Sequence, residues 1–239
     1  MNKFVAASVF AAASALCATV GVGSAAAATY DAFSSFNGVN GAGGFTYGYT
    51  DGTTMTAFDT SSVGGACALG AGSTCLYASS QGNLPQASVG GSYPTVSVPA
   101  DAILVHPGNS QSASDFAGYT ATSAGAYSYD IILKSVGIDT VDGTGYRTFT
   151  SLGGVVTLGA RAQLPTYQST GSLTGTQTLA VGEMFGVVVD DNTNYGGDST
   201  GLNFSISAVP EPAAWGLMLA GFGLVGLAVR RRRSSIVVA

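Results

Sequence analysis

Tyr127-Ser128-Tyr129-Asp130-Ile131-Ile132-Leu133-Lys134 carries the pattern that decides the fold. In an extended chain successive side chains point to opposite faces, so Tyr127, Tyr129, Ile131 and Leu133 share one side while Ser128, Asp130 and Lys134 share the other. That is a strand with one face in a core and one in water. Leu202, Phe204 and Ile206 alternate in the same way with Asn203, Ser205 and Ser207. The run Val187-Val188-Val189 is apolar on both sides and reads as a central strand buried on two faces. Further short strands are expected at 45–50, 55–58, 95–98, 103–106, 146–150, 154–158 and 184–189, with turn pairs such as Asp142-Gly143 between them. Glycine and proline punctuate residues 29–208 too often for a helix of ordinary length. The expected architecture is all-β, an antiparallel β-sandwich of jelly-roll type. Residues 41–44 and 64–72 read as glycine-rich surface loops, and no period of 20 to 50 residues points to a solenoid.

The two ends follow a different logic. Pro210-Glu211-Pro212 is followed by seventeen uncharged residues, 213–229, and then by Arg230, Arg231, Arg232 and Arg233. As a helix rising about 1.5 Å per residue that run spans roughly 25 Å, near the thin end of bilayer cores. Trp215 suits the outer headgroup level and the arginines the cytoplasmic side, leaving residues 234–239 as a cytoplasmic tail. Gly216, Ala220 and Gly223 recur at helical spacing and form a smooth stripe that another membrane helix could approach. The flanking prolines fix φ and remove amide donors, so the peptide above the membrane is extended and accessible to a protease. At the other end, Lys3 followed by an apolar run and Ser24-Ala25-Ala26-Ala27-Ala28 reads as a secretory signal, residues 1–28.

Pro210-Glu211-Pro212-Ala213-Ala214-Trp215, then Gly221-Phe222-Gly223, Gly226 and the arginine run, resembles the PEP-CTERM sorting signal in its Trp-containing variant, with Gly216 where the usual variant has alanine. The resemblance covers residues 209–233. It implies recognition by an exosortase, a membrane cysteine protease that removes the anchor and passes the chain to the cell surface or an exopolysaccharide matrix. A second, weaker resemblance runs through Val105-His106-Pro107-Gly108, Asp115-Phe116, Ala124-Gly125-Ala126-Tyr127 and Leu179-Ala180-Val181-Gly182-Glu183. These turns and strand starts are similar to jelly-roll modules often found ahead of this signal, whose sandwiches resemble carbohydrate-binding modules.

Between the targeting segments, residues 29–208 form one domain of sufficient size for a core. It holds three basic residues, Lys134, Arg147 and Arg161, against twelve acidic ones, a net charge of 3 − 12 = −9. Such a surface repels phosphate backbones, so nucleic acid is excluded as a partner and neutral glycans or divalent cations fit better. Cys67 and Cys75 are the two cysteines outside the leader, and in an exported chain they pair across a short loop.

Catalytic context is scarce. His106 is the single histidine and stands before a Pro-Gly turn, where a structural hydrogen-bonding role is the simplest reading. No strand-turn-helix context marks a serine as a nucleophile and no pair of carboxylates is marked, so the chain does not read as an enzyme. Asp190, Asp191, Asn192 and Asp198 offer oxygen ligands on a glycine-containing loop, as calcium requires, although the same residues favour solvated turns. Eleven tyrosines supply aromatic surface for stacking on sugar rings. The expectation is a non-catalytic surface or matrix protein that binds exopolysaccharide. The alternatives are a structural coat or adhesion protein without a ligand site and a secreted polysaccharide hydrolase.

Overall fold

Alternation of bulky and polar residues sets the strands. A computed structural model describes residues 27–63, 67, 72–82, 84–96, 99–109, 113–138, 142–210 and 212–234. The strands are β1 (Thr29–Asp31), β2 (Phe45–Thr50), β3 (Met55–Ala57), β4 (Thr60–Val63), β5 (Ser73–Tyr77), β6 (Gln86–Gly90), β7 (Ile103–His106) and β8 (Ser114–Thr120). The second half adds β9 (Gly125–Ser135), β10 (Thr144–Leu152), β11 (Val155–Leu158), β12 (Ala162–Leu164), β13 (Thr170–Leu179), β14 (Met184–Asp190) and β15 (Thr200–Ala208). One short helix, α1 (Ala32–Ser35), follows β1, its first turn capped by the Asp31 carboxylate accepting from the Ser34 amide at 2.8 Å. A long helix, α2 (Pro212–Ser234), closes the described chain.

Two antiparallel sheets result. The first runs β13-β9-β15-β7-β6-β5-β4 with β1 also on β15; the second runs β11-β10-β14-β8-β2-β3 with β12 also on β10. From β7 to β10, and again from β13 to β15, successive strands pass from one sheet to the other. The inner faces meet in an aromatic core in which Phe204 packs edge-on to Phe45 at 5.2 Å between ring centres and to Phe185 at 6.4 Å. Tyr127, Ile131 and Leu133 are buried there, whereas Asp130 and Lys134 face solvent, as their alternation requires. β14 is central as expected. Val187 and Val189 enter the main core, and Val188 packs on the opposite face with Phe116 and Phe149.

The strand expected at 95–98 does not form at its described residues. Pro94 cannot donate to a ladder, and the Val96 amide closes a turn onto the Tyr93 carbonyl at 3.1 Å; residues 97–98 lie outside the described residues, as do most of the leader (1–26) and Glu211.

Cys67 and Cys75 form a disulfide with their Cα atoms 5.8 Å apart. The bridge ties Cys67 to β5, and so short a ring contributes roughly 2–3 kcal/mol through the unfolded chain. Reduction is therefore expected to lower the thermal midpoint by about 5–10 °C, read by denaturation with and without reductant. An unchanged midpoint refutes the staple.

The large apolar side chains described in the second half of α2 are turned to solvent. Leu219, Phe222, Leu224, Val225, Leu227 and Val229 are all exposed, so this helix is apolar around its circumference without joining the sandwich core. Among the described residues no helix is long and apolar enough to cross a membrane. The seventeen-residue uncharged run also contains the first turn of α2, whose side chains lie outside the described residues.

Candidate functional site

The outer face of the first sheet is hollowed at β6 and β7. Because side chains alternate, Ile103 and Val105 enter the core while Leu104 and His106 face outward, opposite Ser88 and Gln86 on β6. Gln86, Leu104 and His106 floor a cleft of about 380 Å³, a volume within the usual range of ligand sites. One wall is the segment after β6, with Tyr93, Thr95 and Val96; the other is the loop between β14 and β15, with Tyr195, Gly196, Gly197 and Ser199. Tyr93 is 52% exposed and Tyr195 42%, so two aromatic rings stand at the rim with their faces partly free. The Tyr195 ring meets the His106 ring edge-on at 6.5 Å.

His106 is pinned from both sides. Its Nδ1 lies 2.7 Å from the Pro107 carbonyl and donates to it, which leaves Nε2 as an acceptor. Burial lowers its basicity, so the ring is neutral at pH 7. Its backbone amide donates to the Asp115 carboxyl at 3.1 Å, across from the second sheet. Asp115 is fully buried with its other oxygen unpartnered, and burial pushes its carboxyl well above the usual range. With its Nδ1 on the Pro107 carbonyl and its amide on Asp115, His106 is a rigid part of the cleft floor.

The Tyr195 wall is built on the acidic loop. Asp190 ends β14 and is gripped by Arg161, whose Nη2 donates at 2.7 Å and Nε at 3.1 Å, with Arg147 a further 3.5 Å away. Arg161 also donates to the Asn192 side-chain oxygen at 2.8 Å. Two of the four residues expected to hold calcium, Asp190 and Asn192, thus serve a cation of the chain itself. Asp191 is buried beside them, and that burial raises its carboxyl. Asp198 is fully buried; one oxygen accepts from the Thr144 hydroxyl at 2.9 Å and the other has no partner. Burial first, then the nearby Asp142, Asp191 and Asp190, pushes the Asp198 carboxyl up to about 8. Among the described residues no three His, Cys, Asp or Glu side chains come together to hold a metal ion. The loop can reach the cleft because Gly137 lies under it: a Cβ there would meet the Gly197 carbonyl oxygen at 1.9 Å.

Of the sequence candidates, His106 therefore lines the cleft and Asp198 supports its wall, whereas Tyr93, Tyr195 and Gln86 were not singled out beforehand. Pro210 is exposed at the end of the sandwich, directly before α2.

Residues 208–233 match the family described as the PEP-CTERM protein-sorting motif. No curated protein matches the chain in sequence. Among solved structures, the chain is similar to the K2 cleaved adhesin domain of Lys-gingipain, at 13% identity over 77% of this chain and 99% of that one, with a TM-score of 0.38. It is also similar to a Podospora anserina GH26-CBM35 β-(1,4)-mannanase, at 13% identity over 53% of this chain and 26% of that one, TM-score 0.33. A third is the carbohydrate-binding module CBM6cm-2 from Cellvibrio mixtus lichenase 5A in complex with cellotriose, at 20% identity over 45% of this chain and 79% of that one, TM-score 0.28. The chain spans about a quarter of the mannanase. Likeness at this level leaves function to be argued from the residues of this chain.

Proposed function

We propose that this chain is an exported, non-catalytic surface or matrix protein, delivered by an exosortase acting on residues 208–233, whose jelly-roll sandwich binds a neutral polysaccharide in the cleft on β6 and β7. The sorting reading rests on the motif together with α2, whose described large apolar residues Leu219, Phe222, Leu224, Val225, Leu227 and Val229 are all exposed. A helix of that kind needs lipid or another membrane helix around it. The alternation of consecutive strands between the sheets supports the jelly-roll reading.

The glycan reading is carried by one observation: two part-exposed tyrosines, Tyr93 and Tyr195, line one cleft together with Gln86 and a neutral His106. Aromatic faces cover the apolar side of a sugar ring, and uncharged donors and acceptors read its hydroxyls. The net charge of −9 on the domain disfavours acidic polymers. In pull-downs on a panel of insoluble neutral polysaccharides, the detergent-purified full chain is expected to be retained by at least one. Tyr195→Ala and Tyr93→Ala should each weaken retention at least tenfold, about 1.4 kcal/mol, and no reducing ends should be released. Equal retention of the variants contradicts the cleft; turnover contradicts the non-catalytic reading.

A further inference from the structure

The four ends of the two sheets are unlike one another. β4, β11 and β3 terminate their sheets with strands of four, four and three residues. Brevity is one of the ways proteins protect an edge from pairing with another chain. β13 is ten residues long and ends the first sheet with none of those protections. Its sequence, Thr170-Gly171-Ser172-Leu173-Thr174-Gly175-Thr176-Gln177-Thr178-Leu179, contains no charge and no proline, and it pairs with β9 over its whole length without a bulge. Among the described residues nothing pairs with its outer edge, so a row of backbone donors and acceptors faces solvent.

We infer that β13 is an assembly edge at which a second copy of this chain adds its own β13 antiparallel, joining the two first sheets into one. The occupant follows from the chemistry of the strand. An unpaired ladder is completed by another extended backbone, and on a domain of net charge −9 the uncharged β13 lets two copies approach edge to edge. Its outward side chains are also self-complementary. Thr170, Ser172, Thr174, Thr176 and Thr178 are exposed at every second position. A two-fold axis through Thr174, perpendicular to the sheet, sets Thr174 against its twin, Ser172 against Thr176 and Thr170 against Thr178. Hydroxyl pairs of this kind stabilise neighbouring antiparallel strands. The inference is independent of the cleft, which lies on β6 and β7.

Sedimentation of the detergent-purified full chain across micromolar concentrations tests it. A dimer is expected, and Thr174→Lys, which places two like charges face to face on the axis, should weaken it at least tenfold while leaving the circular dichroism spectrum unchanged. Thr174→Cys should give a disulfide-linked dimer when an oxidant is added, whereas Thr157→Cys on the short edge strand β11 should not. A monomer at 100 μM overturns the inference, as does a dimer indifferent to Thr174→Lys, because association would then run through α2 or another surface.

Discussion

Replacing Phe204 by alanine is expected to cost about 3–5 kcal/mol of folding stability, a large part of what a domain of this size possesses. Phe204 is fully buried in the aromatic core, against Phe45 and Phe185 of the opposite sheet. The truncation leaves a cavity that the neighbouring strand β9 cannot close, because it is held in register by β13 and β15. The thermal midpoint should fall by about 10 °C or more. Phe222→Ala in α2 is the matched control. That ring is exposed and touches nothing in the sandwich, so the midpoint should stay within about 2 °C. Equal effects of the two substitutions would mean that the helix is part of the folded body.

Asp198→Asn should stabilise the domain above about pH 4, and increasingly so up to about pH 8. The folded carboxyl titrates near pH 8, against about 3.9 in an unfolded chain, so between those values the folded state holds a proton that the unfolded state does not. Stability contributed by that proton is fully present below about pH 4, declines as pH rises through the interval and is gone above about pH 8. Asparagine keeps an oxygen for the Thr144 hydroxyl and needs no proton. The variant should match the parent near pH 4 and exceed it by about 3 kcal/mol at pH 9, a figure reduced for relaxation around a charge. Asp115 and His106 titrate in both proteins and cancel, so the difference between the two stability curves reports Asp198 together with its effect on the neighbouring Asp191. The same curve bears on the cleft, since the Asp198 amide donates to the Tyr195 carbonyl at 3.3 Å and ionisation loosens the wall that carries this ring. A difference curve flat from pH 4 to 9 refutes the account.

Strands β9 and β15 were legible because their bulky residues fall at every second position, and β14 because its valine run is apolar on both faces. β13 was not, although it is among the longest strands. Its inward positions include Gly171 and Gly175, where a Cβ would come within 2.3 Å of the Tyr146 hydroxyl and 2.8 Å of the Tyr129 hydroxyl. Rings from neighbouring strands fill the space its own side chains would have occupied, so the apolar alternation is missing from the sequence. The sorting tail was legible for the opposite reason: its chemistry is local and depends on no tertiary partner. The cleft is assembled from 84–106 and 195–199, and nothing local separates Tyr93 and Tyr195 from the other tyrosines. That the acidic loop serves Arg161 was not legible, because this arginine lies about thirty residues away in sequence.

The central claim is that α2 is a handle removed during delivery. Intact-mass measurement of the protein recovered from the surface or matrix of its own cells tests this directly. The account predicts a C-terminus near Pro212, with the mass of 213–239 missing. Recovery of the same protein with Arg230 to Arg233 still attached contradicts it.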